Sequence, residues 1–123
     1  MRPLNLTAAL GTFDEPWAPR TVATVNDYDV RVFRAQDEFA RHTHPGTDEL
    51  FLVLEGRLTI RMDDGDVELG PGDLYVVPRG VAHQPYSAEG AAGLLLEPIS
   101  TLNTGDNPGE LTAERRLLDR HEA

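Results

Sequence analysis

The sequence contains no cysteine and no lysine, and both absences restrict the chemistry that the chain can perform. Without cysteine there is no disulfide, no thiol nucleophile and no thiolate metal ligand. Without lysine there is no Schiff base, since all 11 basic residues are arginine. The lack of cysteine also makes a cytoplasmic location the default expectation.

Positive charge and long apolar runs are scarce as well. The chain has 21 acidic residues against 11 arginines, which gives a net charge of −10 at pH 7. Phosphate backbones and anionic lipids repel such a chain, so the composition argues against nucleic-acid and membrane partners. No apolar run approaches the roughly 20 residues that a membrane-spanning helix needs.

Short strands separated by turn residues dominate what is present. Alternating or apolar runs, bounded by Gly, Pro, Asn and Asp, predict eight strands. They cover residues 21–25, 28–34, 41–43, 49–55, 58–62, 67–69, 74–77 and 93–97. Residues 34–39 are polar and indicate an irregular passage. Short, evenly spaced strands without intervening helices are typical of a sandwich or barrel.

Short helices are predicted at both ends of the chain. Asn5 can cap a helix that ends at Leu10. Near the C-terminus, Asn107-Pro108 resembles a helix start, and acidic residues precede arginines, the order that complements a helix dipole. At 123 residues we expect one domain in three parts. These are residues 1–35 with the first helix and barrel strands, 36–100 with the core, and 101–123 with a loop and helix.

Three histidines and one glutamate have the spacing of metal ligands. His42 and His44 are two apart, so in a strand both imidazoles point to one face, with α-carbons roughly 6.6 Å apart. Residues 45–48 read as a turn, after which Glu49 can return a carboxylate to the same ion. His83 follows a later Pro-x-Gly turn and offers a third imidazole.

These stretches resemble the two motifs of the cupin superfamily. The first motif is Gly, five residues, His-x-His, three or four residues, Glu, six residues, Gly. The second is Gly, five residues, Pro-x-Gly, two residues, His, three residues, Asn. The matching positions are His42, His44, Glu49, Gly56, Gly72, Pro78, Gly80 and His83. Gln36 replaces the first Gly and Ser87 replaces the final Asn, but neither is a ligand position.

The resemblance implies an all-β fold, a double-stranded β-helix or jelly-roll barrel, with one divalent transition metal bound inside. The implied metal ligands are His42, His44, Glu49 and His83. Imidazoles suit Fe, Co, Ni, Cu or Zn, and the carboxylate also tolerates Mn, so the ligand types do not choose among these ions. A metal-free, hydrogen-bonded histidine cluster is the alternative interpretation.

The strand at 49–55 is apolar on both faces. If Glu49 points inward, the residues that share its face should form an apolar pocket wall with those of the next strand. These wall residues are Phe51, Val53, Ile60 and Met62. Leu50, Leu52 and Leu54 point the other way and need a cover, which a second sheet layer, the terminal helices or a second copy can provide. The last option predicts a homodimer.

Several other residues allow two interpretations. Trp17, the one tryptophan, can cap an end of the barrel or wall the pocket. The loop at 102–109 can be a linker or can fold back over the pocket mouth. Arg31 and Arg41 can be surface charges or can hold an anionic substrate group. The candidate proton donors, which can instead be packing residues, are Tyr28, Tyr75, Tyr86 and Glu97.

Two functions are compatible with these features. The first is a metal-dependent enzyme that acts on a small molecule, of dioxygenase or sugar isomerase type. The second is a non-catalytic cupin that binds or senses a small ligand and holds a structural metal. The lack of lysine weakens the case for a phosphosugar substrate, although arginine also binds phosphate.

Overall fold

Seven strands and one short helix make up the fold, which a computed structural model describes for residues 2–119. The helix, α1, spans Leu6–Leu10. The strands in chain order are β1 Arg20–Val25, β2 Tyr28–Glu38, β3 Glu49–Gly56, β4 Leu58–Met62, β5 Gly65–Leu69, β6 Leu74–Val77 and β7 His83–Pro98.

The longest strand, β7, organises the sheet. On one side it pairs antiparallel with β2 along most of its length, and on the other its second half pairs with β3 and its first half with β4. The strand order is β1-β2-β7-β3-β6, and β4 carries β5 on its other edge. Because one long strand serves two sets of partners, the sheet curls around an apolar interior. The fold is the all-β jelly-roll barrel that the sequence predicts.

The alternation of side chains along β3 determines which of them point into this interior. Glu49, Phe51 and Val53 are buried, while the three alternate leucines are only partly buried. The buried side chains join an aromatic and aliphatic cluster with inward residues of the other strands. The predicted inward face of β3 is therefore confirmed, and it carries a carboxylate into an otherwise apolar core.

The N-terminal helix covers part of the outer face. Asn5 caps it as predicted, since its Oδ1 accepts a hydrogen bond from the Ala8 N–H at 2.9 Å. Leu10 packs in a second apolar cluster with Val32 and with Leu118 from the C-terminal segment. In the described part of the chain, no helix is long and apolar enough to cross a membrane.

The rest of the outer face stays open. Leu50 pairs with Leu96 and Val76, and Leu52 pairs with Leu94 and Leu74, so six apolar side chains lie side by side. We call these six, Leu50, Leu52, Leu74, Val76, Leu94 and Leu96, the outer leucine face. Leu74 and Val76 are 55% and 40% exposed. The outer leucine face contains Leu50 and Leu52, which the sequence predicts to be covered by a second sheet layer, the terminal helices or a second copy of the chain.

The predicted C-terminal helix is wrong for the described residues 101–119, which form turns and extended chain. Its last part pairs with β1: Thr21 N–H donates to the Arg116 carbonyl at 2.7 Å, and Leu118 N–H donates to the Thr21 carbonyl at 2.9 Å. Leu111 is exposed whereas Leu118 is buried. Tertiary hydrogen bonds thus override a local helix pattern.

Three strand predictions also need correction. The strand predicted at 93–97 is only the C-terminal part of β7, His83–Pro98. The predicted irregular passage at 34–39 is the end of β2, which runs to Glu38 with a bulge between Ala35 and Asp37. Asp37 has a φ of +60°, and such bulges let a strand bend while it keeps pairing. The predicted strand at 41–43 reduces to a single bridge between His42 and His83.

Candidate metal centre

Four buried side chains from three parts of the chain meet at one end of the barrel interior. They are His42, His44, Glu49 and His83, and one ligand atom from each lies within 4.8 Å of the others. Nε2 of His42 lies 3.1 Å from Nε2 of His44, and Nε2 of His83 lies 3.2 Å from Oε1 of Glu49. This group can hold one divalent ion.

Backbone hydrogen bonds fix the two motifs against each other. His42 and His83 exchange a pair of N–H···O=C bonds, each 2.9 Å long. Gly80 N–H donates to the His44 carbonyl at 3.0 Å. Glu49 begins β3, where it pairs with Val77 of β6. Because each ligand residue is held through its backbone, the cluster does not depend on the side chains alone.

The loop after β7 supports the His42 segment from the other side. Asp106 N–H donates to the Thr43 carbonyl at 3.0 Å, and Thr43 N–H donates to Asp106 Oδ1 at 2.8 Å. Asn107 Nδ2 donates to the Arg41 carbonyl at 2.8 Å. Gly105 approaches so closely that a Cβ there would lie 2.4 Å from the Thr43 carbonyl oxygen. The loop therefore folds back onto the site and is no plain linker.

Outer hydrogen bonds set the orientation of two imidazoles. Nδ1 of His42 lies 2.8 Å from the Ala40 carbonyl oxygen, and Nδ1 of His83 lies 2.9 Å from the Val81 carbonyl oxygen. A carbonyl only accepts, so each Nδ1 carries a proton, and each Nε2 is the ring nitrogen that faces the ligand group and bears the lone pair when the imidazole is neutral. This arrangement is the one that metal-binding histidines use, and it fits a cation at the centre of the group.

The charge states suit metal binding too. Burial lowers the pKa of His42 to about 4, so its imidazole is neutral at pH 7. Burial alone would raise the pKa of Glu49, but hydrogen bonds with Glu97, His44 and His83 outweigh it and hold the pKa well below the usual value. The neutral imidazole of His42 and the ionised carboxylate of Glu49 are the forms that bind a divalent cation.

Glu97 is a second buried carboxyl group, in contact with Glu49. Burial and the charge of Glu49 raise the pKa of Glu97 well above its ordinary value. Oε1 of Glu97 accepts from Arg31, whereas Oε2 has no hydrogen-bond partner as long as both carboxyl groups are ionised. A proton on Glu97 would give this buried oxygen a hydrogen bond, because it lets one carboxyl group donate to the other.

A buried ionic network lies behind Glu97. Arg31 contacts Glu97 at 2.9 Å and Asp29 at 3.1 Å, and its guanidinium also donates to the carbonyls of Ile99 and Thr101. Arg31 is therefore no surface charge. The alternation of β2 contains the signal for this, since residues 29 and 31 share the face of the buried Phe33. Neither alternative that the sequence offers for Arg31, a surface charge or a group that holds an anionic substrate, anticipates this network.

A small apolar cavity of about 30 Å³ adjoins the ligand group on the side of His42 and Glu49. Two predicted ligands, His42 and Glu49, border it. Asn103, from the loop after β7, closes one side. Most of its wall is aromatic or aliphatic and includes Trp17, Phe33, Phe39, Phe51, Pro85 and Leu95. The cavity offers a bound ligand mostly nonpolar contact.

The predicted pocket wall is only partly found at this cavity. Phe51 borders it, next to Glu49 along the same face. Val53 and Ile60 are buried in the same apolar cluster, and Met62 packs against it, but these three contribute to the core rather than to the cavity lining. Val53 lies four residues from Glu49, about 13 Å along the strand, so sharing a face does not bring it to the ion.

Trp17 is a wall of this cavity. Its ring stacks on Phe39 with centroids 4.8 Å apart, and its indole N–H donates to the Gln36 carbonyl at 2.9 Å. Asn103 Nδ2 donates to the Trp17 carbonyl at 3.1 Å. Trp17 has a left-handed φ of 60°, which these contacts hold in place.

The remaining candidates lie apart from the cavity. Tyr86 stacks under the Arg61 guanidinium, and Tyr28 is exposed. Tyr75 borders a separate surface groove with Met62. Arg41 is exposed and pairs with the exposed Asp63. Of the four candidate proton donors, Glu97 alone contacts a predicted ligand among the described residues.

Comparison with known proteins agrees with this fold and site. The cupin domain family matches residues 30–97, more than half of the chain, and the chain belongs to this family. It is 35% identical over 94 residues to the uncharacterized protein YdbB of Bacillus subtilis, a match that covers 76% of this chain and 83% of YdbB.

Solved structures show the same architecture. A cupin-2 domain protein from Shewanella frigidimarina superimposes with a TM-score of 0.76 at 37% identity, over 77% of this chain and 93% of that one. Protein NMB1881 from Neisseria meningitidis gives a TM-score of 0.72 at 26% identity, over 79% and 99%.

Proposed function

We propose that this cupin is a metal-dependent enzyme that acts on a small molecule. The observation that carries the proposal is the convergence of three imidazoles and one carboxylate within 4.8 Å. Four protein ligands leave one or two positions open on a five- or six-coordinate ion. Such an ion supplies Lewis acidity or redox chemistry to whatever occupies the open position.

The cavity favours dioxygenase-type over sugar isomerase-type chemistry. A sugar phosphate needs a cation for its phosphate and many hydrogen-bonding groups for its hydroxyls. No arginine is among the described residues that line the cavity. Arg31, which lies behind Glu97, has its guanidinium occupied by Asp29, Glu97 and two carbonyls. An apolar wall beside a metal suits a nonpolar substrate.

The alternative is a non-catalytic cupin that binds or senses a small ligand around a structural metal. The small size of the cavity supports it, because Trp17 and Asn103 leave only about 30 Å³ beside the ligands. A closed site is typical of structural metals, whereas a catalytic metal keeps a position for water or substrate.

Water exchange at the metal distinguishes these two functions. The protein would be loaded with Mn²⁺ and the relaxation rate of water protons measured against free Mn²⁺ and against metal-free protein. An enhanced rate indicates an exchangeable water and supports the enzyme, whereas bound Mn²⁺ without enhancement supports the structural site. Failure to bind any of Fe, Mn, Co, Ni, Cu or Zn near one ion per chain would refute both. Anomalous scattering would identify the native ion.

The expected setting is the cytoplasm, with a small-molecule ligand and without nucleic-acid or membrane partners. The absence of cysteine supports the location, and the net charge of −10 supports the exclusion of anionic partners.

A further inference from the structure

A groove of about 110 Å³ lies between the loop that follows β7 and the segment that pairs with β1. Three arginines and one glutamate line it, and we call it the arginine groove: Arg31, Arg115, Arg116 and Glu114. In the chain as a whole, acidic residues outnumber arginines by 21 to 11. The groove therefore reverses the charge balance of the chain. None of the predicted metal ligands is among the described residues that line it.

Two guanidinium groups of the groove share one carboxylate. Nε and Nη2 of Arg115 lie 2.7 Å and 3.0 Å from the two oxygens of Asp29, and Arg31 donates to the same carboxylate. Arg31 also faces inward to Glu97 and is buried, whereas the Arg115 side chain is 38% exposed. The contact with Asp29 leaves the two N–H groups on Nη1 of Arg115 outside it. Arg115 can therefore donate to a further anion.

Arg116 is held even less tightly. Its Nη1 lies 3.9 Å from Oε1 of Glu15, and the same oxygen lies 3.3 Å from Nη2 of Arg20. A distance of 3.9 Å is too long for a hydrogen bond, and the Arg116 side chain is 64% exposed. Four arginines elsewhere in the described chain each pair with a carboxylate of their own: Arg41, Arg57, Arg61 and Arg79.

We propose that the arginine groove binds a small oxyanion, of phosphate or sulfate type, between Arg115 and Arg116. A guanidinium presents its N–H groups as a planar fork that matches the oxygens of such an anion. The exposed Ser100, which also lines the groove, can donate its hydroxyl. A single water needs roughly 10–15 Å³ on the same scale, so 110 Å³ accommodates a tetrahedral ion with a few waters. The Glu114 carboxylate opposes the binding.

A titration followed by nuclear magnetic resonance tests the site in solution. Amide shifts of the ¹⁵N-labelled full chain would be recorded as inorganic phosphate, or separately sulfate, replaces chloride at constant ionic strength. Ionic strength is fixed because salt screens exposed charges. We expect a saturable shift at Thr101, Arg115 and Arg116 with at least one of the two anions. No saturable shift with either anion, or shifts centred on His42 and His83, would overturn the proposal.

Arg116→Gln removes one guanidinium from an exposed position, so the fold should be retained. We expect the Kd for the anion to rise about tenfold, the loss of one charge-assisted hydrogen bond. Arg57→Gln is the matched control, because that side chain is 72% exposed, lies 4.0 Å from Glu68 and does not line the groove. Both variants change the net charge by the same amount. Equal Kd values in these two variants would refute the site.

Glu114→Gln tests the sign of the effect. Removal of this carboxylate should lower the Kd several-fold, because it takes away a repulsion within the groove. A higher Kd in this variant would contradict the site. Elemental analysis of the same proteins reports the metal independently, since none of the variants changes a predicted ligand. Failure of the oxyanion site would therefore leave the proposed metal-dependent function untouched, and loss of that function would leave the oxyanion site standing.

Discussion

Nε2 of His42 lies 3.1 Å from Nε2 of His44 in the barrel interior. The Nδ1–H of His42 donates a hydrogen bond to the Ala40 carbonyl, so the Nε2 of His42 faces the neighbouring imidazole with a lone pair. Without a cation, His44 must supply a proton to this contact. The two nitrogens would serve as ligands to a metal ion in place of that proton, so the pair fits a metal site.

Loss of a ligand should remove the metal and leave the fold. His83→Ala takes away one imidazole, and we expect metal affinity to fall by more than about 100-fold, beyond the 10–100-fold typical of losing an outer hydrogen bond to a ligand. Elemental analysis and circular dichroism would follow the metal and the fold. His121→Ala is the control, since His121, which lies outside the described residues, is not a predicted ligand. Equal metal content in His83→Ala and the parent chain would refute the ligand set.

The close approach of Gly105 should matter for both stability and metal binding. Its φ is +55°, and an added Cβ would lie 2.4 Å from the Thr43 carbonyl oxygen and 2.9 Å from His42 Cδ2. We expect Gly105→Ala to lower the free energy of unfolding by roughly 1–3 kcal/mol and to weaken metal binding by displacing His42. Denaturant titration and metal titration test this.

Gly109→Ala is the control for that experiment, because no atom lies within 4 Å of its added Cβ. A Gly105→Ala protein with unchanged stability and metal affinity would show that the loop does not support the site.

The buried Asp29 should make stability depend on pH in strongly acidic solution. Burial alone would raise its pKa, but hydrogen bonds from Arg115, Arg31 and Thr21 outweigh this and lower the pKa from 3.8 to about 2. Between these two values the unfolded chain binds more protons than the folded one. The contribution is therefore fully present above pH 3.8 and is lost as pH falls to about 2, and it amounts to about 2 kcal/mol.

The Asp29→Asn variant isolates this contribution. Its free energy of unfolding should be lower than that of the parent chain at pH 5, and the difference should shrink toward pH 2. Asp64→Asn, in the exposed turn between β4 and β5, should leave the pH dependence unchanged. A constant difference between the Asp29→Asn and parent proteins over this range would contradict the assignment.

The outer leucine face should mediate a homodimer, which stays a prediction from the sequence. Its six apolar residues carry no charge, and two copies that each have a net charge of −10 can approach best where charge is absent. Leu74→Glu should convert the dimer into a monomer of 13.5 kDa, measured by sedimentation equilibrium. Leu117→Glu, at an exposed leucine away from this face, should stay dimeric. A monomeric parent chain would refute the prediction.

Local pattern was sufficient for much of the fold and for the ligand group. The bounds of β4 and β6 follow directly from alternation and turn residues, and the inward face of β3 follows from a period of two. The four predicted ligands, which the fold brings within 4.8 Å of one another, could be picked out because motif spacing is a local property. The alternation of apolar and polar residues was less informative for residues 34–39, because a bulge there lets polar residues continue a strand.

By itself, the sequence determined which side chains share a face and which donor atoms the chain can offer a metal, because both depend on near neighbours and residue type. The tertiary structure alone decided that Arg31 contacts Glu97, that Asn103 closes the cavity, and that the segment with Arg116 and Leu118 bonds to β1 instead of forming a helix. The first two contacts join residues more than 60 positions apart in the chain. The third depends on hydrogen bonds between the backbone of the C-terminal segment and that of β1. No local pattern carries that information.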